Sequence, residues 1–243
     1  MITNQQSRTN IQEIAPSIYR INTPVELPDG QAFSFNQYLL VDDAPLLFHT
    51  GPRQMFPLVR EAIAAVMPVE RLRYAAFSHF EADECGSLNE FLAVAPEAQP
   101  LCSQIGAMVS VTDIATRAPR AMSDGEQLSL GRHTIQWFDT PHVPHGWDCG
   151  LLMDVTTSTF FCGDLFTQGG RGEQALTEGD ILGPSEAFRA PMDYYAHGPN
   201  TAEILLKLAR QKPTTLACMH GHAWRGDGGM LLRHLAEVVT ARA

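Results

Sequence analysis

The chain has 243 residues, 44% of them hydrophobic, enough to bury a sizeable core as one large domain or two small ones. Its formal charge is −10, from 17 Lys and Arg against 27 Asp and Glu, and no basic cluster stands out, which argues against a nucleic-acid or anionic-membrane partner. The polar N-terminus has no signal-type segment, no apolar run approaches a membrane span, and five cysteines form no C-x-x-C pair, so a cytoplasmic protein with reduced thiols is expected.

Met1 to Pro16 reads as a loose leader. Ile18 to Asn22 and Phe33 to Val41 read as strands around a Pro28-Asp29-Gly30 turn, and Leu46 to Phe48 as a third. Gln54 to Val66 has helical spacing (Phe56, Val59, Ile63, Val66) and stops before Pro68. Leu72 to Phe77 is an apolar strand, after which Ser87 and Glu90 have capping-box spacing for a helix through Phe91, Leu92 and Val94. Leu101-Cys102 suggests a short strand, followed by a helix from Ser103.

The pattern then largely repeats. Gln127 to Leu130 and Thr134 to Phe138 form a hairpin with Gly131 in its turn, and Gly150 to Val155 with Thr159 to Cys162 form another. Leu165 to Gly198 is too long for a plain connector and is expected to be functional or to contribute a lid. Thr201 to Arg210 is helical, Thr214 to Cys218 a strand, and Met230 to Val239 a closing amphipathic helix. No composition shift marks a linker. The expectation is one α/β domain, two stacked sheets with helices outside.

Ligand-type residues follow four of these strands. His79, Glu81 and Asp83 come first, at alternate positions that would project to one side of a frayed strand end. His142 or His145, then Asp164, then His220 or His222 follow later strands. Each alone is compatible with an ordinary turn. Their joint placement at strand ends is the expected way to assemble a site on an α/β sheet.

H-x-E-x-D at His79-Glu81-Asp83, H-x-x-H at His142 to His145, G-D at Gly163-Asp164 and H-G-x-x-W at His220 to Trp224 resemble the metallo-β-lactamase fold. More narrowly they resemble the diiron domain of flavodiiron proteins and single-domain oxygen-binding diiron proteins, from about Ile18 to the C-terminus. The resemblance implies an αββα sandwich of two mixed sheets. It implies one iron held by His79, Glu81 and His145, a second by Asp83 and His220, and Asp164 bridging an oxo- or hydroxo-bridged pair. His142, His222, Tyr194 and Tyr195 become candidates for proton delivery, and Glu84 a hydrogen-bond partner of a ligand histidine or a solvated carboxylate. Cys85 is expected to be a buried thiol, and Phe80, Trp147 and Phe166, which flank the ligands, to wall the pocket or belong to the core.

The zinc hydrolases of this fold read H-x-H-x-D-H, whereas Glu81 and Glu84 stand here in place of two histidines. Three imidazoles and three carboxylates form a mixed nitrogen and oxygen set that suits iron. Glu81, Asp83 and Asp164 bring −3 against the +4 of two ferrous ions, and without metal at least one of them is expected to take a proton. The implied function is binding, and reduction or sensing, of O2 or NO. No flavodoxin-like domain or FMN site is expected in this chain, so electrons would come from an external redox protein, or a signalling partner would read the site; a homodimer is implied by resemblance. The competing function is a binuclear zinc hydrolase of esters, thioesters or lactones.

Overall fold

The computed structural model describes residues 1–241. Two seven-stranded sheets lie face to face. The first has the order β1 (Asn10–Ala15), β2 (Ile18–Glu26), β3 (Ala32–Leu40), β4 (Leu46–Phe48), β5 (Tyr74–Ala76), β6 (Gln99–Ser103), β7 (Arg120–Met122). It is antiparallel through β4 and parallel from β4 onward. The second contains β8 (Gln127–Ser129), β9 (Thr134–Asp139), β10 (Gly150–Asp154), β11 (Thr159–Phe161), β12 (Leu176–Thr177), β13 (Thr215–Ala217) and β14 (Ala223–Arg225), ordered β12-β14-β13-β11-β10-β9-β8. It is mixed too, with β11 and β13 parallel.

Helices cover the outer faces: α1 (Phe56–Ala64), α2 (Ala82–Cys85), α3 (Leu88–Val94), α4 (Gln104–Gly106) and α5 (Thr112–Ile114) by the first sheet, then α6 (Leu182–Met192), α7 (Thr201–Ala209) and α8 (Gly228–Thr240) by the second. Three apolar layers result. Val59, Ile63, Phe91 and Leu92 pack with Leu39, Leu47 and Phe77 outside the first sheet. Tyr38, Phe48, Trp137, Leu152 and Phe161 fill the space between sheets. Leu205, Leu208, Leu232 and Leu235 cover Phe160 and Leu151 on the far side. This is the expected αββα sandwich. Among the described residues no helix is long and apolar enough to cross a membrane.

The expected leader is corrected in part. Asn10–Ala15 is strand β1, paired with β2, and Ile2 bridges Asn10. A register shift between Glu13 and Ala15 brings the consecutive residues Ile14 and Ala15 into the same apolar layer, which breaks the alternation that marks a strand in sequence. The capping box also fails. Ser87 precedes α3, but its Oγ donates to the Pro52 carbonyl and Glu90 accepts from Arg53.

Candidate metal centre

The site lies at the ends of β5, β9, β11 and β13, where four connecting loops converge. The loop after β5 carries His79 and Glu81, and the chain then turns into α2, which carries Asp83 and Glu84. The expected frayed strand is therefore a strand-to-helix junction, with Glu81 at the last extended position. The β9–β10 loop brings His145, the loop after β11 brings Asp164, and the loop after β13 brings His220. Gly163 (φ +51) and Gly221 (φ +85) let the last two loops turn sharply beside their ligand-type residues.

Asp164 stands between two groups. Its Oδ2 lies 3.4 Å from His145 Nε2 and 3.6 Å from His79 Nε2, and Glu81 Oε1 lies 3.2 Å from His145 Nε2. Its Oδ1 lies 3.3 Å from His220 Nε2, which is 3.5 Å from Asp83 Oδ2. The structure thus brings all six residues together, as a group of His79, Glu81 and His145 and a group of Asp83 and His220. Two ligands each about 2.1 Å from one ion stand roughly 3.0–3.4 Å apart, close to these separations.

The polar atoms fit that use. His79 Nε2 and Asp164 Oδ1 are buried and meet only the ionisable groups of the centre, with no well-aligned hydrogen bond to either atom. Such groups are costly to bury unless something compensates them. The ring nitrogens on the other side are occupied: His79 Nδ1 is 2.9 Å from Ser78 Oγ, and His220 Nδ1 is 2.9 Å from the Ser34 carbonyl. These contacts turn both Nε2 atoms toward the centre.

Electrostatics without metal differ from the expectation. His145 and His79 hold Glu81 down to about 2. Burial would raise Asp83 and Asp164, but His220 beside both pulls them below the usual carboxylate range. Burial would lower His220, yet Asp164 and Asp83 raise it to about 9. His79 is likewise raised, its burial outweighed by Cys149 and Glu81. The excess protons therefore sit on imidazoles, not on the three expected carboxylates. Burial and neighbouring Asp164 push one carboxyl up, that of Glu84.

The remaining candidates are scattered. Tyr194 lies at the centre: its hydroxyl donates to the Asp164 carbonyl at 3.2 Å, and its ring meets His145 edge-on at 6.0 Å. Tyr195 is buried behind it under Arg189, its hydroxyl without a partner. His142 is exposed and outside the cavity lining, since its positive φ turns the loop ahead of His145 outward. His222 faces Gln168 at 3.2 Å instead of the cavity. Cys85 donates to the Glu81 carbonyl, and burial raises its thiol to about 12. All five cysteines are free and buried.

A cavity of about 520 Å³ opens over the centre. Its walls are Leu27, Phe33, Phe35, Phe188 and Met192, with Asp83, His145, Asp164 and His220 at the floor. Phe33 and Phe35 alternate on β3 and so share a face. Phe33 stacks on His220 at 4.4 Å and on Phe188 at 5.4 Å, so α6, within the long segment singled out from sequence, contributes part of the roof. The expected wall residues are elsewhere: Phe80 and Trp147 point to solvent and Phe166 lies in the core.

Sequence reading missed one arm of the site. His49, at the end of β4, is buried between Met219 and Ser78, with Nε2 3.0 Å from Ser78 Oγ. Burial lowers it to about 3, so it stays neutral and continues the chain His49–Ser78–His79. A lone histidine 30 positions before His79 offers no local motif.

A family described as ODP family beta lactamase matches residues 33–196. The chain is 24% identical over 202 residues to a rubredoxin-oxygen oxidoreductase of Megalodesulfovibrio gigas, covering 79% of this chain and 50% of that one. It is 27% identical over 233 residues to a nitric oxide reductase of Moorella thermoacetica, covering 86% and 55%. Among solved structures it is similar to the Flv1 flavodiiron core of Synechocystis (TM-score 0.78, 21% identity, 96% of this chain and 61% of that one). It also resembles a 1–254 fragment of diflavin flavoprotein A 5 from Nostoc (TM-score 0.81, 16% identity, 96% of each chain). The chain spans from a third to about half the length of the relatives it matches.

Proposed function

The chain belongs to the ODP beta-lactamase family, and from that premise we propose that it is a non-haem diiron protein that binds O2 or NO and reduces it with electrons from a separate donor. His79, Glu81 and His145 would hold one iron, Asp83 and His220 the other, and Asp164 would bridge them. The observation that carries this reading is the division of Asp164, whose two oxygens face two different sets of ligand-type groups. The names of two relatives, an oxygen oxidoreductase and a nitric oxide reductase, support the substrate class.

When bound, the two ions supply electron transfer to a diatomic oxidant. The protein does the rest. Phe33, Phe35, Phe188 and Leu27 offer an apolar approach that favours a neutral gas over hydrated anions. Ser34 and Ser78 fix the imidazoles. Tyr194, which donates to the backbone of Asp164 beside the cavity, is the side chain best placed to pass a proton to bound substrate. The electron donor would be a soluble redox protein, and we retain a homodimer and a cytoplasmic location as part of the proposal. His222 and Tyr195 act at most through Gln168 and Tyr194.

Metal analysis of anaerobically purified protein tests the reading. Two iron per chain, with O2 or NO consumed when a chemical reductant and mediator are supplied, are expected. Two zinc per chain with ester hydrolysis would replace it by the hydrolase.

A further inference from the structure

One hydroxyl, that of Ser78, separates His49 from His79, and all three side chains are buried. His49 is held in a backbone conformation of φ +64, a left-handed region that histidine tolerates better than most residues other than glycine. Such a conformation persists where the surroundings over-determine it. Here the backbone N–H of His49 donates to the Ala76 carbonyl at 2.7 Å, and its ring stacks on Phe48 at 4.3 Å.

The contacts of the ring fix every proton along the row. The backbone N–H of Ser78 donates to His49 Nε2 at 3.4 Å, and an amide N–H cannot accept, so Nε2 is the bare nitrogen. His49 Nδ1 lies 2.7 Å from Met219 Sδ, and a thioether has no proton to give, so the ring's proton sits on Nδ1. The Ser78 hydroxyl, 3.0 Å from the same bare Nε2, must then donate to it. A hydroxyl has one proton, so toward His79 Nδ1, 2.9 Å away, Ser78 Oγ only accepts. The His79 proton is thereby placed on Nδ1, and Nε2 faces Glu81 and Asp164 with its lone pair. With no acceptor at His49, the hydroxyl could turn its proton toward His79 Nδ1. The His79 proton would then move to Nε2 and close that atom to a cation.

We propose that His49 is a positioning residue of the metal centre: it commits the Ser78 hydroxyl proton and so keeps His79 Nε2 open to a metal ion. The inference rests on the diiron reading, in which His79 is a ligand. The same ring lies against Met219, the neighbour of His220 in the chain, so it sits between the loops that carry one ligand of each group. Partners of this kind, which hold a ligand's ring and tautomer, tune affinity without touching the metal.

The test is anaerobic titration of the full chain with Co2+ against a chelator, for wild type, Ser78→Ala, His49→Asn, His49→Gln and the Ser78→Ala/His49→Asn double variant. Asparagine tolerates the backbone of position 49 but places its amide where Nδ1 lies, whereas glutamine reaches the place of Nε2 and keeps an acceptor for Ser78. His49→Asn and Ser78→Ala are each expected to weaken the more affected ion by about 10–100-fold, and His49→Gln to recover most of the loss. Because both changes break one link, the double variant should lose no more than either alone, within about twofold. Ring 15N spectra of metal-free wild type should show the His49 proton on Nδ1. Losses that multiply in the double variant, or unchanged affinity in His49→Asn, overturn the proposal and leave the diiron reading standing. A His49 proton on Nε2 overturns it without any metal present, whereas fewer than two ions bound by wild type overturns the diiron reading.

Discussion

The Nδ1 of His220 lies 2.9 Å from the carbonyl oxygen of Ser34, so a strand of the first sheet aims a ring carried by the second. A carbonyl only accepts, which places the proton on Nδ1 and turns Nε2 toward Asp83 and Asp164. The centre is thus built across the sandwich, and its geometry depends on how the two sheets are held together.

Asp164 is where the two halves meet. Replacing it by Asn keeps the size of the side chain but removes the charge that faces both groups. The expected result is at most one tightly held iron per chain, counted by elemental analysis after desalting. Two irons retained in Asp164→Asn would show that the bridge is not needed.

Metal and protons compete at the same nitrogens. Without metal, the His220 pKa is about 9 in the folded chain, above the ordinary 6.5. A raised histidine pKa contributes stability that is fully present below pH 6.5 and lost as pH rises through 9, on the order of 3 kcal/mol for this buried ring. Glu81 acts oppositely: held at about 2, its contribution is present above 4.5 and lost as pH falls through 2. Metal-free protein should therefore melt highest between about pH 4.5 and 6.5, while iron affinity rises from pH 6 to 9 as the proton is displaced. Thermal melts and metal titrations across that range check both; a metal-free melting point that climbs from pH 7 to 10 contradicts the first.

The six ligand-type residues were legible because each follows a strand whose apolar run is plain in the sequence. The walls were not. Phe80 lies between His79 and Glu81 in the chain, but neighbours at a strand-to-helix junction point apart, and it faces solvent. The true wall comes from β3 and α6, far away in sequence, and only the stack of Phe33 between His220 and Phe188 reveals it. Strands β7, β12 and β14 escaped notice because two or three residues are too few to show alternation. His49 joined the site through tertiary contact alone.

The clamp between the sheets is Arg20, which no motif marks. It is fully buried, and its guanidinium donates to Asn36 Oδ1 and to the carbonyls of Gly172, Gly221 and Gln174. Burial lowers it to about 10, still protonated at neutral pH. Arg20→Met would leave those acceptors buried and free the turn behind His220, a loss of about 3–5 kcal/mol. Arg20→Lys keeps the charge but not the fork, and should recover only part. Urea unfolding of metal-free protein measures this, and a loss under about 1 kcal/mol for Arg20→Met would remove Arg20 from this role.

The choice of metal is expected to turn on Glu81. Its side chain is half exposed at the edge of the centre and meets His145 and His79. Glu81→His would make the first group three imidazoles, the set that the zinc hydrolases of this fold favour, and would cut the negative charge of the centre by one. Iron in particular should suffer, since a mixed nitrogen and oxygen set suits it better than nitrogen alone. In competition between ferrous iron and zinc at equal concentration under argon, the variant should shift toward zinc by about tenfold or more, in line with what changes around a ligand do. An unchanged iron-to-zinc ratio would mean that position 81 does not set the preference, and that the selectivity lies in the other carboxylates, Asp83, Asp164 and Glu84.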